Sequence, residues 1–128
     1  MNRAKGFRDL DVFVLAKSLA VEVHKMTLLL PKHELYEEGS QIRRSSKSVV
    51  SCIVEGFARR RYKSEFLHYL TIAIGECDET QVHLEFLYET GSLKDEEKYK
   101  YFSQEYHKLA RMLNSFFNAV VKRHISEK

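Results

Sequence analysis

The sequence contains few residues that interrupt helices and few that could crosslink it. It has one proline and five glycines in 128 residues, which leaves room for long helices. The two cysteines, Cys52 and Cys77, form no Cys-x-x-Cys motif, and nothing else in the sequence indicates a zinc site. Both fall at apolar positions of predicted helices, so we predict buried thiols in a reducing compartment. A disulfide between the second and third predicted helices is the alternative that the sequence leaves open.

Long hydrophobic runs are also absent. The apolar stretch nearest the N-terminus, residues 12–23, contains Lys17 and Glu22 and follows Asp9 and Asp11. A secretory signal would not carry these charges in its apolar core or directly before it. No run approaches the roughly 20 apolar residues that span a bilayer. We therefore predict a cytoplasmic protein without a membrane partner.

Apolar residues recur at helical spacing in four segments. The predicted helices cover residues 9–30, 40–60, 64–90 and 95–124. Pro31 ends the first helix, because the residue before a proline avoids the α region. The third and fourth segments show the heptad spacing of bundle packing, and the short connections favour antiparallel neighbours. The sequence predicts an all-α protein, an antiparallel up-down four-helix bundle in a single domain of residues 1–128.

The same periodicity predicts which side chains face the core. The predicted core positions are Leu10, Phe13, Val14, Leu19, Ala20, Val23 and Leu30 in the first helix, Ile42, Ser45, Ser46, Val49, Cys52, Ile53, Gly56 and Phe57 in the second, Phe66, Leu70, Ala73, Cys77, Thr80, Leu84 and Leu87 in the third, and Phe102, Tyr106, Leu109, Leu113, Phe116 and Val120 in the fourth. The fourth helix carries aromatic residues on more than one face. They form either a wide core stripe or a second apolar face for self-association.

No arrangement of residues typical of catalysis or metal binding stands out. Glu65-x-x-His68 has the spacing of a di-iron ligand motif, but a ferritin-like site needs a second such motif and two further carboxylates. Glu79 and His83, four residues apart, are more typical of a solvated helix pair. There is no phosphate-binding glycine loop and no GxGxxG motif. We therefore predict a protein that is not an enzyme, with no catalytic residue, metal site or cofactor.

Positive charge is concentrated in the second predicted helix and the residues that follow it. Residues 40–63 contain seven basic residues and one acid, Glu55, a net charge of +6, whereas the whole chain carries +3. The basic residues are Arg43, Arg44, Lys47, Arg59, Arg60, Arg61 and Lys63. With Tyr62 among them, they are typical of a surface that binds phosphate backbones, of RNA or DNA alike. The alternatives are a solvated cationic face and ion pairing with acids on neighbouring helices.

One stretch of the second helix resembles a known signature. Residues 41–59, QIRRSSKSVVSCIVEGFAR, resemble the signature of the four-helix-bundle proteins encoded in 23S rRNA intervening sequences. Residues 65–66, 69–70 and 72–75 look like the same family, as do Phe7, Leu10 and Ala16 at the opening of the chain. The chain departs from the family where Asn-Ile-Ala-Glu-Gly becomes residues 52–56, CIVEG, and where Gly-Ser becomes residues 75–76, GE. Any role of that asparagine amide therefore does not carry over.

The resemblance implies an up-down bundle that assembles into a ring, with a pentamer as the expected size. Nucleic-acid binding is the usual proposal for the family. A related bundle, the accessory variability determinant of diversity-generating retroelements, works with a reverse transcriptase and nucleic acid. We therefore hypothesise a homo-oligomer that binds RNA or DNA through the basic surface of the second helix, and a protein-interaction scaffold without nucleic-acid affinity is the alternative. The positions that match the family are Arg43, Arg44, Lys47, Arg59 and Arg60 for binding, with Glu55 and Gly56 as structural positions.

Overall fold

Four α-helices make up most of the chain. The computed structural model describes residues 4–123, with the side chains of residues 4–122. The helices are α1 (Asp11–Thr27), α2 (Glu38–Ala58), α3 (Lys63–Glu89) and α4 (Glu96–Arg123), and short 3-10 helices lie at Phe7–Asp9 and Lys32–Leu35. The described residues include no β-strand, so the predicted all-α class is confirmed. None of these helices is both long and apolar enough to cross a membrane.

Side chains of consecutive helices meet in an order that fixes the direction of each helix. The beginning of each helix lies against the end of the helix before it, and the end of α3 lies against the beginning of α2. Tyr101 in α4 donates a hydrogen bond to Glu22 in α1, so the fourth helix closes the bundle against the first. Consecutive helices are therefore antiparallel, as short connections favour. Contacts between consecutive helices include Arg43 with Thr27, Ser45 with Thr80, Phe66 with Phe116 and Tyr88 with Tyr99.

The first two helices differ from their predicted bounds for local reasons. α1 ends at Thr27 rather than at residue 30. The hydroxyl of Thr27 donates a hydrogen bond to the carbonyl oxygen of His24, and a turn follows. α2 begins at Glu38 rather than at residue 40, because the carboxylate of Glu34 accepts the backbone N–H of Gly39 at 2.9 Å. This bond satisfies one of the free N–H groups at the start of a helix. The predicted end of the fourth helix, residue 124, lies outside the described residues.

The core contains the predicted stripes with a few exceptions. The predicted positions of α2 and α3 are buried, and in α4 only Phe116 is half-buried. Val14 was predicted in the core but is 56% exposed, because α1 turns Val12 and Phe13 inward and Val14 falls on the outer side. Leu30 lies beyond α1 and is half-buried. Most aromatic residues of α4 pack against the core, which favours the wide core stripe over a second apolar face.

The centre of the bundle also contains polar groups and thiols. Cys52 and Cys77 are buried and free, as predicted for thiols. Burial raises the pKa of Cys77 to about 12, so the thiol stays protonated at neutral pH. The hydroxyls of Ser45 and Thr80 form a hydrogen bond of 2.8 Å between α2 and α3. The apolar core therefore contains a buried, hydrogen-bonded polar pair between α2 and α3.

Candidate nucleic-acid interface

The seven predicted binding residues fall into two groups along α2. Arg43, Arg44 and Lys47 lie in its first half. Residues 59–62 form the turn that joins α2 to α3, and Lys63 is the first residue of α3. Sixteen residues separate Arg43 from Arg59, which corresponds to about 24 Å of helix. The structure therefore does not bring all seven residues to one place.

Arg43 stabilises the connection between α1 and α2. Its guanidinium group donates to the hydroxyl of Thr27 at 3.0 Å and to the carbonyl oxygen of Leu35 at 2.8 Å. The side chain is half-buried. Both bonds tie the end of α1 and the following 3-10 helix to α2, so Arg43 has a structural role.

Arg44 and Lys47 are exposed but point to different neighbours. The guanidinium group of Arg44 lies 3.9 Å from the carboxylate of Glu76 in α3. The ammonium group of Lys47 lies 3.0 Å from the Nδ1 atom of His24 in α1. The two cations therefore flank α2 on opposite sides instead of forming one stripe. Ion pairing with a neighbouring helix, one of the alternatives for the charge of α2, is observed for Arg44.

The turn between α2 and α3 contains the densest group of cations. Arg59 lies 3.6 Å from the carboxylate of Glu65 and 4.7 Å from the centre of the Tyr69 ring. Arg60 packs over the ring of Phe57, with 4.1 Å from its guanidinium carbon to the ring centre. These contacts hold the arginine stems against the bundle, as amphipathic side chains do, and Arg60 stays exposed.

Of the other residues around this turn, one contacts α4 and two are exposed to solvent. The ammonium group of Lys63 donates to the carbonyl oxygen of Val121 at 2.6 Å, near the end of α4. A cation at this position complements the partial negative charge of a helix C-terminus. Arg61 and Tyr62 are exposed at the tip of the turn.

Two other segments bring further cations to the same end of the bundle. The 3-10 helix at Phe7–Asp9 contacts α2, and the antiparallel order places the end of α4 beside it. Lys5, Arg8 and Lys122 are exposed there. We call the resulting surface the basic end. It comprises Lys5, Arg8, Arg59, Arg60, Arg61, Lys63 and Lys122.

Sequence reasoning missed three members of the basic end. Lys5, Arg8 and Lys122 are far from residues 59–63 in the sequence, and a scan of one helix cannot find them. The signal lies in the predicted topology, because an antiparallel bundle places the start of the first helix, the end of the second and the end of the fourth together. Combining the local charge with that topology would have identified the surface.

Acidic side chains gather at the opposite end of the bundle and at its nearby turns. They are interspersed with lysines such as Lys94 and Lys98, but acids predominate. At the basic end the seven cations outnumber the acids of the same segments, which are Asp9, Asp11, Glu55 and Glu65, so the two ends differ in charge along the bundle axis. The acids at the end opposite the basic end are Glu34, Glu37, Glu38, Glu85, Glu89, Asp95, Glu96 and Glu97.

One group in this acidic region has the spacing of metal ligands. Among the described residues, His33, Glu34 and Glu37 alone place three such ligand atoms within 4.8 Å of one another. Glu34 already accepts hydrogen bonds from the N–H of Gly39 and the hydroxyl of Ser92. Burial opposes ionisation of Glu34, but these bonds and the nearby His33 lower its pKa below the usual value. The carboxylate is thus occupied in holding α2 and the α3–α4 connection together.

The two sequence pairs with metal-like spacing have other partners. Glu65 pairs with Arg59, and the ring of His68 lies edge-on against that of Tyr69. The Nδ1 atom of His83 lies 2.6 Å from the carboxylate of Glu38 in α2. Each histidine is therefore engaged away from the carboxylate with which the sequence paired it.

The protein is therefore an antiparallel four-helix bundle with a basic end. Residues 8–115 match the family described as 23S rRNA-intervening sequence protein, and the chain belongs to this family. The predicted resemblance is confirmed. No curated protein matches the chain.

A solved structure supports the same fold. It is the crystal structure, at 1.70 Å resolution, of a protein with unknown function from the S23 ribosomal protein family of Bacteroides thetaiotaomicron VPI-5482. The two chains superpose with a TM-score of 0.74 and 24% sequence identity, over 84% of this chain and 95% of the other. At this identity the likeness concerns the arrangement of helices alone.

Proposed function

We propose that the protein is a homo-oligomer that binds the phosphate backbone of RNA or DNA through its basic end. The observation that carries the proposal is the meeting of three chain segments at this end, each with exposed cations. Lysine and arginine that neutralise phosphates release counterions, and this release supplies affinity without reading sequence. The residues that contribute from the three segments include Lys5, Arg61 and Lys122.

The aromatic residue at the tip of the turn adds to this proposal. Tyr62 is 53% exposed and lies next to Arg61 and Lys63. Bases of a single strand stack on exposed aromatic rings, and cations beside the ring neutralise the phosphates. A single-stranded loop of an RNA therefore fits this surface better than a regular duplex, whose bases are already stacked.

Electrophoretic mobility shift with a salt titration tests the basic end. The triple variant Lys5→Ala, Arg61→Ala, Lys122→Ala removes one cation from each segment. We expect its affinity to fall by about tenfold or more, and the slope of log K against log salt to become shallower by about 2, since each lost phosphate contact removes about 0.7–0.9.

A matched variant separates the basic end from net charge. Lys32→Ala, Lys94→Ala, Lys98→Ala removes three exposed lysines near the opposite end and changes the net charge equally. This control should keep nearly the affinity of the unmodified chain. The same loss in both triples, or full affinity in the basic-end triple, would contradict the proposal.

Self-association is the second part of the proposal. The family resemblance leads us to propose a ring, with a pentamer as its size, in which several basic ends contribute to one polyanion. Repetition of a weak site raises the overall affinity through the effective concentration of the linked sites. Light scattering should give a mass well above the 15.1 kDa of one chain.

An exposed apolar cluster favours a protein-interaction scaffold as the second candidate function. Leu28, Leu29, Leu35 and Tyr36 are exposed around the α1–α2 connection, and Leu29 and Tyr36 are 75% and 86% exposed. Adjacent exposed apolar residues are typical of protein contacts. If the protein is such a scaffold, it should not change the electrophoretic mobility of RNA or DNA even at low salt. A photo-crosslinker at position 36 should then capture protein partners.

A further inference from the structure

A groove with an apolar floor and a basic rim runs between α1 and α2. Its volume is about 450 Å³, and Ala20, Val21 and Val50 form most of the apolar floor. Its charged side chains are basic, and no carboxylate lines it among the described residues. The remaining lining residues are Lys17, His24, Lys25, Lys47 and Ser51.

The α1 side of the groove continues as an exposed apolar stripe. Val14, Val21 and Leu28 are exposed and follow one another at intervals of seven residues. This spacing places them on one face of the helix, with Lys17 and Lys25 between them. The stripe is about 21 Å long. Lys25 and Lys17 form no ion pair with any described residue, so their charges are available to an incoming surface.

The outer face of α3 has the opposite charge and also carries exposed apolar residues. Ile72, Val82 and Phe86 are exposed there. Ile72 and Phe86 are fourteen residues apart, as are Val14 and Leu28, so this face is also about 21 Å long. Glu79 lies midway between Ile72 and Phe86, and further acids lie beside them. The acids of this face are Asp78, Glu79, Glu85 and Glu89, all exposed and without an ion pair within the described part of the chain.

We propose that the α1–α2 groove of one molecule binds the outer face of α3 of a second copy. The two surfaces agree in length, both carry exposed apolar residues, and their charged residues are of opposite sign. Burial of apolar area supplies the affinity, and the charges fix the orientation and exclude like-charged pairings. The contact is head-to-tail, because each copy uses a different surface for each neighbour.

A head-to-tail contact has consequences for the assembly. It closes into a ring when the rotation between copies allows it and extends into a filament when it does not. Of the seven predicted binding residues, Lys47 alone lines the groove, so the basic end stays accessible. In a ring whose axis is parallel to the bundles, all basic ends would lie on one face. This inference rests on the proposed self-association and not on nucleic-acid binding.

Charge reversal tests the contact by light scattering and analytical ultracentrifugation without nucleic acid. Lys17→Glu with Lys25→Glu reverses the groove, and Glu79→Lys with Glu85→Lys reverses the α3 face. Each double variant alone should give the mass of one chain, 15.1 kDa. An equimolar mixture of the two should associate, because each reversed surface then finds a complementary one on the other variant.

The combined and control variants complete the test. A chain with all four reversals should recover association, because both surfaces have changed sign together. Lys94→Glu with Glu97→Lys, at exposed positions outside both surfaces, should leave the mass unchanged. Far-UV circular dichroism confirms that each variant is helical. A monomeric unmodified chain, reversed variants that keep their mass, or a mixture that stays monomeric would overturn the proposed contact.

These outcomes are independent of the mobility-shift result. If the masses change as expected and nucleic acid does not bind, the contact between copies stands and the proposed binding activity fails. If the chain is monomeric and the basic-end triple still loses affinity, the binding stands and the contact fails.

Discussion

Tyr106 shows how a single residue can cost the bundle stability. Its side chain is fully buried between the helices. Its hydroxyl forms no hydrogen bond of good geometry among the described residues, and the nearby hydroxyl of Ser46 only partly compensates for its burial. Burial raises the pKa of the phenol, so it is neutral at any ordinary pH. A buried hydroxyl without a partner loses its bonds to water and gains none in return.

Replacing this phenol should therefore stabilise the protein. We expect Tyr106→Phe to raise the free energy of unfolding by about 1 kcal/mol, because the ring keeps its contacts and the desolvated hydroxyl is removed. Urea unfolding followed by circular dichroism measures the difference. A loss of 1 kcal/mol or more would instead indicate that Ser46 or a buried water satisfies the hydroxyl.

Glu34 is a buried residue whose charge contributes to the fold. It is 3% exposed and accepts hydrogen bonds from two segments, at the start of α2 and in the α3–α4 connection. Because folding lowers the pKa of this carboxyl, its contribution to stability is present above the unfolded value near 4.5 and is lost as the pH falls through the folded value.

The pH dependence of a Glu34→Gln variant tests this role. At pH 7 the free energy of unfolding of the variant should be lower by about 1–2 kcal/mol, since hydrogen bonds to a charged acceptor are stronger than those to an amide. Below pH 4.5 the difference from the unmodified chain should shrink. Glu97→Gln, at an exposed position, should change stability by less than about 0.5 kcal/mol at either pH. If the difference in stability between the variant and the unmodified chain stayed constant below pH 4.5, the charge of Glu34 would not be its cause.

The first turn of α2 depends on its packing against the preceding 3-10 helix. Gly39 lies so close to the chain before it that an added Cβ would come within 2.3 Å of the backbone oxygen of Glu34. A backbone atom cannot move aside as a flexible side chain can. The position therefore requires glycine because of space, while its φ angle is ordinary.

A substitution at this position should disturb the first turn of α2. We expect Gly39→Ala to lower the free energy of unfolding by about 2 kcal/mol or more, because overpacking forces the backbone apart. Thermal unfolding gives the change. Gly6→Ala is the matched control, because nothing lies within 4 Å of the added Cβ, and it should be nearly neutral. Equal stability of the two variants would contradict this packing.

Elements differed in how far the sequence could predict them. The stripes of α2 and α3 were predicted completely, because a periodicity of 3.6 residues reports directly which side is buried. Helix ends were less predictable, because they depend on partners elsewhere in the chain. The start of α2 depends on Glu34, and the end of α1 is followed by a turn that Arg43 holds.

At the scale of the whole molecule, the candidate site was predicted in part. Residues 59–63 are a local run of charge, and any reader of the sequence finds them. Lys5 and Lys122 join them only through the antiparallel topology, and Arg43 leaves the set because Thr27 and Leu35 engage its guanidinium group. Local composition thus identifies a charged segment, and folding decides which of its members a ligand could reach.

The separation of charge along the bundle axis gives the molecule a permanent dipole moment. A dipole in the field of a polyanion experiences a torque, so the molecule rotates during its approach, before any atom touches. Such steering raises association rates well above those of randomly oriented collisions, and dissolved salt suppresses it. In the proposed binding, the chain would arrive with its basic end toward the polyanion, and its acidic end would face away into solution.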